Sequence, residues 1–127
     1  VNVLTREEIF GYVKKKYGST PEYLWEKWPQ YAVLRHADNR KWYAAIMNVS
    51  ADRLGLPGGD TAVEIIDVKC DPQEADFLRR LPGYLPGYHM DHQNWLTVLL
   101  DGTVPDLQVL DLLDASYSMT GNKKQDK

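Results

Sequence analysis

The sequence predicts an α+β fold: one two-layer domain over residues 1–120, with an antiparallel sheet of about four to five strands and three helices packed on it, in the order α-ββ-β-α-β-α. Three observations carry this. Helix signals occur at three separated places, two of them with capping residues. A hairpin pattern fills residues 31–49, and two further short apolar runs follow at 63–70 and from 95. The connections are short, and no stretch has the composition of a linker or a second domain.

The first helix is written in "TREEIFGYVKKKYG", residues 5–18. Thr5 and Glu8 have the spacing of a capping box, Ile9, Val13 and Tyr17 recur every four residues with Phe10 beside them, and Gly18 is the stop. Lys14, Lys15 and Lys16 are consecutive, so they fan over about 200° of the helix and read as a solvated last turn rather than a binding patch. "YAVLRHADNRKWYAAIMNV", residues 31–49, reads as a hairpin turning at Asp38-Asn39, with a nearly all-apolar and therefore central second strand. "GLPGGD" is a loop, and Val63 to Cys70 is a third strand. In "DPQEADFLRRLPG" Asp71 caps a second helix, Pro72 sits at its first position, Glu74 completes a capping box, and Arg79 and Arg80 fall in the last turn before Pro82-Gly83. The tetrapeptide LPGY is printed twice; the first copy reads as a terminator and the second as a loop that re-aims the chain. A fourth strand runs from Trp95, whose large side chain is expected in the core, to an Asp101-Gly102 turn. Pro105 starts a third helix with Val109, Leu110, Leu113 and Tyr117 on one face, and residues 121–127 form a polar tail expected to fray.

Composition narrows the function classes. With 43% hydrophobic and 26% charged residues, the 127-residue chain is an ordinary globular protein, and no apolar run approaches the ~18 residues a membrane span needs. The helix signal at the N-terminus argues against a secretory leader, and a lone Cys70 cannot form an internal disulfide, so a reducing cytoplasm is the expected location. A net charge of −3 disfavours binding nucleic acid by bulk charge and leaves only a local patch. Four Trp and eight Tyr suit a compact core or an adhesive cleft.

Three chemistries compete for the polar residues. His89 and His92, with Asp91 and with His36 or Cys70, supply metal-ligand types, but H-x-x-H here precedes a strand, with no CxxC, HExxH or calcium loop. For catalysis, Cys70 shares a strand face with Ile66 and Val68 and reads as a buried, inert thiol. Ser116 and Ser118 lack a nucleophile elbow, and "LGLPGGD" is no phosphate loop. The expectation is no enzyme, no cofactor and no metal. For binding, Arg35, His36, Arg40 and Lys41 bracket the hairpin turn with Trp42 following. Lys69, Arg79 and Arg80 add positive charge, which is the form of a wing that lies along a nucleic-acid groove.

Residues 68–117, "VKCDPQEADFLRRLPGYLPGYHMDHQNWLTVLLDGTVPDLQVLDLLDASY", resemble the MmcQ/YjbR family of small bacterial proteins. The marks are Lys69, Pro72, Pro86, "YHM", Trp95, "LLDGTVPD" and "LLDASY", and the hairpin and first helix fit as well. The resemblance implies an α+β fold similar to the CyaY/frataxin and secretion-chaperone types, and DNA binding through a double-wing arrangement. Lys69 and His89 are then the polar positions expected at a site, with Arg35, Arg40, Lys41 and Trp42. A protein- or peptide-binding module is the first alternative, and a metal site or enzyme built on His89, Asp91 and His92 the second. Where relatives commonly carry Asn-Lys after "HM", this chain has Asp91-His92, which weakens any contact with a polyanion there.

Overall fold

The computed structural model describes residues 4–121; the polar tail expected from 121 falls, beyond its first residue, outside the described residues. Three helices and a five-stranded antiparallel sheet are present: α1 (Arg6–Tyr17), β1 (Ala32–Arg35), β2 (Trp42–Ser50), β3 (Ala62–Lys69), α2 (Pro72–Leu78), β4 (Tyr84–Pro86), β5 (Trp95–Leu99) and α3 (Asp106–Thr120), with a short 3-10 turn at Ala51–Leu54. The sheet order is β1-β2-β3-β5-β4. Among the described residues no helix is long and apolar enough to cross a membrane.

The local signals act largely as read. Thr5 and Glu8 form the reciprocal capping box of α1, and Gly18 closes it at φ 71°. Asp71 caps α2 by accepting from the Gln73 and Glu74 N–H groups. Glu74 does not complete a box; its carboxylate accepts instead from the Cys70 thiol. The helix stops at Leu78, so Arg79 and Arg80 lie past its last turn, where Arg79 donates to the His92 carbonyl and Arg80 to Asp76. The second LPGY also differs from its reading. Tyr84-Leu85-Pro86 is a short edge strand, because Pro86 lacks only a donor and an edge position tolerates that loss.

All three helices cover one face of the sheet. Ile9 and Val13 of α1, Ala75 and Leu78 of α2, and Val109, Leu112 and Leu113 of α3 pack with Leu34, Ile46, Ile66, Val68, Leu96 and Val98. The centre of the α3 stripe is Val109, Leu112, Leu113, Ser116 and Thr120, one step round from the predicted face; Leu110 and Tyr117 flank it half-buried. Ser116 is fully buried, donating to the Tyr43 carbonyl and accepting from the Lys69 N–H, and so pins α3 to β2 and β3 at once. Ser116→Ala strands two buried backbone groups and is expected to cost about 2 kcal/mol in chemical denaturation.

The opposite face is covered without helices, by the segment 19–31, the 3-10 turn and the loop after β4. Tyr31, Val33, Ala45, Met47, Val49, Ile65 and Leu99 form its core, with Trp25, Trp42, Leu85, Tyr88 and Met90 packed on it. A β-bulge decides which aromatic goes where. Leu34 pairs with Ala44 and Arg35 with Trp42, so Tyr43 is the extra residue. Strict alternation would seat Trp42 with Ala44 and Ile46 under the helices. The bulge instead sends Tyr43 to the helical side, against Tyr17, Tyr117 and His36, and Trp42 to the other. Trp95 is half-buried rather than a core residue.

Candidate functional site

Antiparallel register decides which of the predicted residues meet. Arg35 ends β1 opposite Trp42; Ala44 pairs with Val68, beside Lys69 at the end of β3; Lys69 pairs with Trp95; and Pro86, ending β4, pairs with Leu96. The loop 87–94 leaves from the same end. The sheet therefore gathers Arg35, Arg40, Lys41, Trp42, Lys69 and His89 at one end, as a site built from four strand termini.

Their charges are not equally available. Arg35 and Arg40 both pair with the single carboxylate of Glu22, at 3.2 and 3.4 Å. Glu22 is brought there by the bridge between its backbone and Val33. Lys41 is exposed and Lys69 is half-buried. His36, read as part of the basic hairpin, is buried. Its Nε2 lies 2.8 Å from the Thr120 hydroxyl, and burial lowers its pKa, so it adds no surface charge. The hairpin loop is held by Asn39, which accepts from the Lys41 N–H and donates to the Thr120 carbonyl.

The Asp91 carboxylate and the His92 carbonyl both serve the loop. The Asp91 carboxylate accepts from the Asn94 side chain and the Gln93 N–H. Those bonds, with the His92 and Lys69 charges, hold its pKa below the usual carboxylate range. Among the described residues no group of three His, Cys, Asp or Glu side chains is placed to hold a metal ion. Cys70 is buried, and burial pushes its thiol up to about 11. Arg40 and His89 are the two non-glycine residues with left-handed φ among those described, at 61° and 62°, and both border this end.

Between the hairpin and the loop after β4 lies an open cleft of about 340 Å³ lined by Trp25, Trp28, Tyr31, Trp42, His89 and Met90. Trp42 and His89 were expected at a site; Trp25, Trp28, Tyr31 and Met90 were not. Trp25 stands at 88° to Trp42 with ring centroids 5.8 Å apart, and at 78° to Tyr31 at 6.2 Å. Trp28 stacks on Tyr31 at 5.7 Å. Burial raises the Tyr31 hydroxyl, and the neighbouring Tyr88 reinforces it. On the same sheet face, cross-strand from Ala45, Asp67 is fully buried. Its Oδ1 accepts from Thr97, whose oxygen accepts the Tyr88 N–H, and its Oδ2 has no hydrogen-bond partner among the described residues. Burial, outweighing the Thr97 bond, lifts its pKa to about 7.

Known proteins share this architecture. A crystal structure of a protein from Pseudomonas syringae superposes with a TM-score of 0.88 at 41% identity, covering 92% of this chain and 99% of that one. The Deinococcus radiodurans protein DR2400 shares the fold at a TM-score of 0.72 and 22% identity, covering 94% of this chain and 80% of its own. The uncharacterised protein YyaQ of Bacillus subtilis is 47% identical over 118 residues, 93% of this chain and 99% of its own length. The uncharacterised protein YjbR of Escherichia coli K12 is 38% identical over 58 residues, 45% of this chain and 49% of its own. The YjbR family model matches residues 14–119, a span that holds all five strands, the six cleft residues and every predicted site residue, and the chain belongs to the YjbR family.

Proposed function

We propose that this protein is a binding module rather than an enzyme, and that it holds a segment of a partner polypeptide in the aromatic cleft at the hairpin end of the sheet. One observation carries the reading. Three Trp, one Tyr and one Met line an open concavity, and Trp28 among them is exposed. Aromatic residues and Met are the types enriched where partners are gripped, and a few such anchors supply most of the affinity. The side chains that a reaction would recruit are otherwise engaged. Ser116 is bonded to backbone on both sides, Cys70 is a buried thiol, and Asp91 holds its turn. The test is selection of displayed random peptides on the immobilised protein. Peptides are expected that bind wild type at least about tenfold tighter than Trp28→Ala or Trp42→Ala. A selection whose products never distinguish wild type from these variants removes the reading.

A second reading, nucleic-acid binding, has its own support. Arg40, Lys41 and Lys69 share the sheet end with stackable aromatic rings, a pairing that single strands use. The shared Glu22 and the nearby Asp91 reduce that charge. Fluorescence anisotropy with labelled duplex and single-stranded DNA at about 50 and 200 mM salt decides it. On this reading binding weakens steeply with salt, and Lys41→Ala and Lys69→Ala each reduce the salt slope by about one. Absence of a complex at low salt ends it.

A further inference from the structure

We infer that the cleft recognises an N-methylated ammonium group, carried on a side chain of the partner segment. The inference rests on the cleft's being the binding site and adds the chemistry of its occupant. Ring geometry is the first argument. A flat base or ring is held best between two parallel walls; the one parallel pair, Trp28 and Tyr31, stacks on itself at 5.7 Å and leaves no gap between its rings, while Trp25 stands nearly perpendicular to both Trp42 and Tyr31. Walls that meet at right angles enclose a compact, rounded group and present it with several π faces at once. The π face of Trp is the best aromatic partner of a cation, and a methylated ammonium loses less hydration than a bare one on entering such a box.

Charge is the second argument. No Lys or Arg is among the six lining residues; the polar contributors are His89 and the soft sulfur of Met90. The outer rim already shows the interaction, with Lys27 Nζ 6.0 Å from the centre of the Trp28 ring.

The test compares four probes by tryptophan fluorescence and by the indole N–H signals in NMR. They are N-acetyl-trimethyllysine methylamide, its neutral isostere with carbon in place of nitrogen, the unmethylated lysine analogue, and choline. The trimethyllysine probe is expected to bind about tenfold tighter than the neutral isostere and to lose that advantage in Trp28→Ala, whose side chain is exposed enough for the fold to persist. His89→Glu, at the rim, is expected to tighten it several-fold and to leave the isostere unchanged. Equal affinity for probe and isostere overturns the inference while leaving the peptide-binding cleft standing. Choline binding as tightly as the side-chain probe overturns the partner segment as the source. Failure of all four probes to move any indole signal overturns the inference, and the peptide selection above then decides separately whether the cleft binds anything.

Discussion

Asp67→Asn is expected to make the protein more stable than wild type at pH 8 by about 2–3 kcal/mol and to leave the two within about 1 kcal/mol of each other at pH 4.5. The reason is a carboxyl group placed where water does not reach. Its pKa rises from 3.8 to about 7 on folding, so the folded chain holds this proton more tightly than the unfolded chain. Below about pH 4 both states are protonated, and the contribution to stability is fully present. Between about 4 and 7 only the folded state keeps the proton, and stability falls as pH rises; above 7 the loss is complete. A difference of about three pH units corresponds to roughly 4 kcal/mol as an upper figure. Asparagine keeps the shape and the acceptor for Thr97 and cannot ionise, but its amide puts two unpaired N–H donors where the acid had an unpaired oxygen, which offsets about 1–2 kcal/mol of that gain.

His36 works in the opposite direction. Its pKa is lowered by burial, so its contribution is present above the unfolded value of 6.5 and is lost as pH falls. The two terms partly cancel in wild type. Subtracting the wild-type profile from that of Asp67→Asn removes His36 and isolates the carboxyl. Urea denaturation at half-unit pH steps measures the difference directly, and parallel profiles for the two proteins would show that Asp67 does not titrate across this range.

Asp67 also marks the boundary of what sequence reading reaches. Capping residues, the hairpin and the apolar runs act through neighbours a few positions away, and so α1, α2, α3 and the strands β1, β2, β3 and β5 were legible. The gathering of Lys69, His89 and the hairpin cations at one sheet end was only half legible, since it depends on β5 inserting between β3 and β4. The cleft was less legible still. Its Trp25, Trp28 and Tyr31 lie in "STPEYLWEKWPQY", residues 19–31, which has neither helical nor strand periodicity and is broken by Pro21 and Pro29. The available signal was density: four aromatic rings within nine residues, in a stretch too irregular to bury them in a regular element. Trp42 was placed correctly in the chain, but its face depends on one bulged residue, Tyr43, which no alternation rule foresees. Asp67 sits mid-strand among Ile65, Ile66 and Val68, where its burial follows from Thr97 and Tyr88 arriving from elsewhere.

The repeated LPGY yields the second large effect, because its two glycines are needed for different reasons. Gly83 has φ 92°, and a Cβ there would lie 2.6 Å from Val104 Cγ2 and 3.1 Å from Thr103 Cγ2. Gly83→Ala therefore adds both a left-handed backbone strain and an overpacked contact, and its carbonyl, which accepts the Leu99 N–H, is part of the β4–β5 ladder. A loss of about 3 kcal/mol is expected, seen as a fall in the denaturation midpoint without a change in the Trp25 or Trp42 indole signals. Gly87 has no positive φ. A Cβ there would meet Trp95 Cβ at 2.9 Å and the Trp95 backbone oxygen at 3.0 Å, and a backbone cannot step aside as a side-chain tip can. Gly87→Ala is expected to cost about 2 kcal/mol by pushing the loop off β5. That loop carries Tyr88, bonded to Thr97, and then His89 and Met90 of the cleft. This variant, unlike Gly83→Ala, should shift the indole signals and weaken cleft ligands even at temperatures where it is fully folded. If Gly83→Ala matched wild-type stability, or if both alanines moved the indoles alike, the division of labour between the two glycines would be wrong.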